Sequence, residues 1–156
     1  MNQSFDSRGF MKAKLLLVAA IVTLVGCATT PINTATARST PLSRIYAQDL
    51  VIPGEGKVQL IVARDAGAVG SACMTAVYLD GKIVSAIDNA EKVTFYVLPG
   101  RYILGTGPNP NGTGLCKYNS ERSRREAEII AEIGKPLKYR LAMNDRGEFS
   151  LMPTAF

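Results

Sequence analysis

The sequence predicts an all-β fold, a small antiparallel sandwich. Three observations lead there. From residue 57 onward apolar residues recur at every second position. Turn chemistry (Asp-Gly, Pro-Gly and an Asn/Gly tetrapeptide) separates these runs at short spacing. The one segment with helical features lies between runs of period two.

The first run places Val58, Leu60 and Val62 in alternation with Gln59, Ile61 and Ala63, ahead of Asp65-Ala66-Gly67. Residues 74–79 and 82–87 flank Asp80-Gly81. That dipeptide predicts a tight hairpin, since the turn needs positive φ, which Gly adopts freely and Asp tolerates. Both faces of this hairpin are apolar, which predicts a central position. Residues 93–98 follow, with Phe95 and Val97 on one face; Pro99-Gly100 fits the centre of a type II turn, and residues 101–104 return with Tyr102 and Leu104 on the face of Val97 and Phe95. Residues 105–114 hold four Gly, two Pro and two Asn, and are expected to form a long loop. Residues 126–133 fit either of two elements. Ser123 and Glu126 have capping-box spacing and Gly134 would end a helix. Read as a strand, Ala127, Ile129, Ala131 and Ile133 face inward while Glu126, Glu128 and Glu132 face out. The strand fits more positions. Last come Leu137, Tyr139, Leu141 and Met143, a turn at residues 144–147, and Phe149 with Leu151. About seven strands at this spacing predict an immunoglobulin-like sandwich.

The amino terminus reads as an address. Lys12 and Lys14 precede ten largely apolar residues, 15–24, too few to span a bilayer. Leu24-Val25-Gly26-Cys27 follows, and this resembles the lipobox of bacterial lipoproteins. The resemblance implies a signal peptide over 1–26, a thioether-linked lipid on Cys27, and acylation, with palmitate, of the new amino terminus. Ala28, rather than Asp, implies sorting to the outer membrane, with the domain in the periplasm. Translation could start at Met1 or at Met11. Residues 27–44, rich in Thr, Ala and Pro, are expected to be a flexible tether reaching about 50 Å, and residues 45–156 the folded domain.

Charge narrows the partners. Of the 18 Lys+Arg and 13 Asp+Glu, Asp6, Arg8, Lys12 and Lys14 lie in the signal, so the remainder carries 15 against 12. A net +3 gives no footprint for nucleic acid, and no such partner is expected. With no His in the chain, neither a metal nor another cofactor is expected. Of three Cys, one belongs to the lipobox, and Cys73 with Cys116 makes an even pair in an exported chain. A disulfide is expected. No nucleophile constellation such as G-x-S-x-G or S-x-x-K appears, and the scattered carboxylates define no acid/base pair, so no catalytic residue is assigned. The basic stretch Lys117, Tyr118, Arg122, Arg124 and Arg125 is a candidate contact for an anionic polymer or an acidic patch. A solvated loop is the plainer reading.

Apolar residues 76–79, Asp80-Gly81-Lys82, and a later strand ending in Pro99-Gly100-Arg101-Tyr102 resemble the PEGA-type β-domain of bacterial envelope proteins. The match covers about thirty residues; the tetrapeptide that names the family and any second copy are lacking. It implies a β-module and carries over no catalytic residue. The function expected is that of a non-enzymatic envelope lipoprotein, an accessory or assembly module with membrane lipid and an envelope protein as partners. The alternatives are a subunit of a transenvelope secretion or conjugation apparatus and an envelope hydrolase or inhibitor.

Overall fold

The computed structural model describes residues 29–117 and 123–155. Within them the fold is all-β, with nine strands in two sheets: β1 (Arg38–Ser39), β2 (Val58–Arg64), β3 (Thr75–Leu79), β4 (Lys82–Ile87), β5 (Glu91–Val97), β6 (Gly100–Pro108), β7 (Arg125–Ala131), β8 (Leu137–Met143) and β9 (Phe149–Pro153). One sheet has the order β1-β5-β2-β8-β9, the other β4-β3-β6-β7.

Period two builds the core as the sequence requires. Val58, Leu60 and Val62 of β2 lie opposite Val97, Phe95 and Val93 of β5, and all six are buried. From the other sheet Val77, Leu79, Val84, Ile87, Leu104 and Ile129 close over them in one cluster. Burying side chains of this size stabilises by roughly 1.5–3 kcal/mol each. Asp80 and Gly81 have φ of 48° and 78°, the paired positive values of the tight hairpin expected there. Residues 125–131 are a strand, with Ile129 and Ala131 buried and Glu126 and Glu128 exposed.

Six expectations need correction. The sandwich is not purely antiparallel: β8 runs parallel to β2, and β1 parallel to β5. The cause is that β7 and β8, neighbours in sequence, belong to different sheets, so β8 enters the larger sheet in the direction of β2. Pro99 likewise does not turn a hairpin. β5 and β6 also lie in different sheets, and Tyr102 and Leu104 meet Phe95 across the core.

The expected loop over 105–114 begins only after Pro108, because β6 continues to that residue between β3 and β7. Gly105 belongs in the strand for a packing reason. A Cβ there would sit 3.2 Å from the Cβ of Tyr78, its cross-strand partner. Ile133, expected to face inward, is exposed in the turn closed by Glu132 and Lys135.

The tether is the largest correction. Residues 29–44 are laid against the domain. Thr30 bridges Ala66, Arg38 and Ser39 pair with Glu91 and Lys92, and Thr34 and Thr40 are buried. The chain then crosses to β4, which ends its sheet rather than sitting centrally as expected. Its edge is covered by Ile45, bridged to Ser85, and by the Tyr46 and Ala47 N–H groups, which donate to the Val84 carbonyl. A Thr/Ala/Pro composition resembles a linker, but small side chains also suit a strap along a sheet edge, where backbone bonds and not apolar periodicity hold the segment.

Candidate functional site

One end of the sandwich gathers the β2–β3 loop, the β4–β5 turn, the β6–β7 connection and the β8–β9 turn. Its floor is ionic. Arg64 continues the inward phase of Val58, Leu60 and Val62, and Glu91 begins that of Val93, Phe95 and Val97; both are buried. They occupy the next step of the β2–β5 register beyond Ala63 and Lys92. The Arg64 guanidinium donates to the carbonyls of Gly70 (2.6 Å), Cys73 (2.6 Å) and Ile87 (3.2 Å), and so shapes the β2–β3 loop. Burial pushes its pKa down, and the Asp88 and Glu91 carboxylates push it back up. Glu91 accepts from Arg44 at 2.7 Å and from the Asp88 N–H at 3.0 Å.

A second pair stands beside the first. Asp65 is buried and its Oδ2 accepts from Arg140 at 2.5 Å, while Oδ1 has no hydrogen-bond partner. Burial holds the Asp65 carboxyl above the usual carboxylate range; Arg140 and the Thr29 hydroxyl act in the opposite direction.

Cys73 and Cys116 form the expected disulfide, with Cα atoms 5.2 Å apart, and it ties the β2–β3 loop to a 3-10 turn over Gly114–Lys117. A cleft of about 650 Å³ opens on one side of this bridge, where Arg44, Ser71, Asp88, Asn109, Asn111 and Thr113 offer donors and acceptors. On the other side lies a smaller apolar cavity of about 130 Å³, bounded by Met74, Pro108, Leu115, Met143 and Phe149. Such a cleft suits a polar ligand or peptide segment. Among the described residues no cluster of three or more His, Cys, Asp or Glu is placed to hold a metal ion.

Of the basic stretch, Lys117, Arg124 and Arg125 lie among the described residues. Lys117 is exposed at the end of its turn, and Arg125 is exposed at the start of β7. Arg124 is engaged: its guanidinium lies 4.0 Å over the Tyr78 ring and pairs with Glu126 at 2.7 Å. Arg124 is therefore neither a solvated loop residue nor a fully free cation, because the Tyr78 ring beside Gly105 offers it a face to stack on. Cys27, Tyr118 and Arg122 lie outside the described residues.

Sequence reasoning missed the ionic floor. The available signal was phase: a charge falling in step with three buried apolar positions of a strand is an inward charge, and both Arg64 and Glu91 do so.

Comparison with known proteins returned nothing: no protein family, no curated protein and no solved structure matches this chain.

Proposed function

We propose that the chain is a bacterial envelope lipoprotein that works without catalysis, as an accessory or assembly module anchored in the outer membrane through acyl groups on Cys27, with its domain in the periplasm. The single observation that carries this reading is the Cys73–Cys116 disulfide. It suits an oxidising compartment, and it leaves Cys27, in its lipobox setting, as the one cysteine for lipid. In this reading the exposed loops at the two ends of the sandwich serve contact, since loops on a rigid β scaffold commonly carry binding. The domain itself is read as a PEGA-like, immunoglobulin-like variant. The tight Asp80-Gly81 hairpin and the crossing at Pro99 into β6 support that reading, and the parallel β2–β8 pair departs from an antiparallel sandwich.

The test is Cys27→Ser in a bacterial host fed labelled palmitate. Loss of the label, with accumulation of uncut precursor, is the expected result. A substituted protein still cut before residue 27 and still labelled would overturn the lipoprotein reading. Density-gradient separation of the two membranes then reads the sorting, with the wild type expected in the outer-membrane fractions.

A further inference from the structure

We propose that the disulfide-bearing end of the sandwich lies flat against the phospholipid headgroup layer, with Leu115 as its apolar contact. This deepens the lipoprotein reading and rests on it.

The argument begins with chain length. Cys27 stands two residues before Thr29, so covalent geometry alone keeps their Cα atoms within about 7.6 Å. Thr29 is fastened to the domain. Its N–H and its hydroxyl both donate to the Met143 carbonyl, at 3.3 and 3.2 Å, and the Met143 N–H donates back to Oγ1 at 3.1 Å. Thr30 and Ala66 exchange two backbone bonds of 2.6 and 3.0 Å. The fit is close: a Cβ on Gly67 would lie 2.9 Å from the Thr29 Cγ2 and 3.0 Å from its Cα. A lipid on Cys27 therefore leaves no slack for a domain held clear of the membrane. Whatever surrounds Thr29 meets the headgroups.

What surrounds it suits them. Met143, which binds Thr29, also bounds the apolar cavity shared with Met74, Phe149 and Leu115. Leu115 is 90% exposed and Met74 37%. Exposed cations stand near this tip: Lys117, two residues on, and Arg146 in the β8–β9 turn. Asp145 and Glu148 share that turn, so the apolar tip and not net charge leads the contact. An interfacial contact buries apolar side chains about 5–10 Å into the headgroup boundary, while long cationic side chains reach phosphate. The opposite end, with the exposed Leu98 and Ile133, then faces away from the bilayer, toward partners.

The chain has no Trp, so a single one is a clean reporter. Full-length lipidated protein carrying Leu115→Trp or Ile133→Trp is reconstituted into phosphatidylethanolamine–phosphatidylglycerol vesicles with brominated acyl chains. Expected are a blue shift and loss of most emission for the residue-115 reporter, and neither for the residue-133 reporter. Inserting about ten Gly/Ser residues between Ala28 and Thr29 adds roughly 17 Å of reach and should relieve the quenching. Mass measurement of the Cys27 peptide separates two failures. A peptide without acyl chains would sink the lipoprotein reading and this one together. Acyl chains present, with residue 115 unquenched or quenched no more than residue 133, would overturn the docking alone.

Discussion

Replacing both bridge cysteines, Cys73→Ala with Cys116→Ala, should cost about 4 kcal/mol of stability. The sequence separation of 43 sets this size. The chain-entropy relation for a closed loop of that length gives about 13 cal/mol/K, or about 4 kcal/mol at 25 °C. Native-state terms add little. Both residues are half-buried, so trimming them forfeits little transfer energy. The β2–β3 loop keeps its shape through the Arg64 bonds to the Gly70 and Cys73 carbonyls, which involve no sulfur. The loss therefore belongs to the unfolded chain, and this has a second signature. An unbridged chain expands further, so the denaturant slope m should rise while the midpoint falls. Urea unfolding of wild type and double variant reads both quantities. A loss under about 1 kcal/mol with an unchanged m would refute the loop-closure reasoning. A larger loss at unchanged m would mean that the bridge acts on the folded state.

Other expectations follow from the buried charges and the crowded glycine. Arg64→Met leaves three carbonyls without their donor and removes a positive charge beside Glu91, which keeps Arg44, Arg38 and the Asp88 N–H, so thermal or urea unfolding should show a loss of about 3–5 kcal/mol. Asp65 titrates near its ordinary value, about 3.9, when unfolded and at higher pH when folded. The folded state therefore takes up this proton first as pH falls. Wild-type stability relative to Asp65→Asn should rise as pH drops between the two values and level off below both, and urea unfolding across acid pH would expose a flat or opposite trend. Gly105→Val must displace Tyr78 and the Arg124 stacked on it, and should cost about 1–3 kcal/mol. Arg125→Ser should change stability by no more than about 0.5 kcal/mol. Arg124→Ser should cost more than Arg125→Ser, and equal effects in denaturation would dismiss the stacking.

Much of the β framework was legible because one face of each main strand meets the core. Val58, Leu60 and Val62 can only alternate, and Phe95 and Val97 likewise, so the strands announce themselves by period. The Asp80-Gly81 turn was legible from the φ values its residues tolerate. Which sheet a strand enters was not legible. β5 to β6 and β7 to β8 look like hairpins in sequence, yet each crosses the core, since period two records that a residue faces inward and not which sheet it faces from. Gly105 and Gly107 looked like loop because their place in β6 depends on Tyr78 and Ala76 of β3, some thirty residues earlier.

The strap over residues 29–47 shows the same limit and what it means for the site. It joins the edge of β5 through Arg38 and Ser39 and the edge of β4 through residues 45–47, so it stitches the two sheets along one side. The same segment supplies Arg44 to Glu91 and Thr29 to Asp65. Both ionic pairs at the loop end are thus completed by residues that composition alone assigns to a tether. The strap, the disulfide and the Arg64 carbonyl bonds converge on one short loop, residues 65–74, from three directions. A loop needing only to connect β2 to β3 would not require that. Held this way, the loop presents Met74 and the Cys73 bridge in fixed position beside Leu115, so the surface at this end is preorganised for whatever it meets. That rigidity fits a surface placed against a bilayer or a partner better than it fits a spacer.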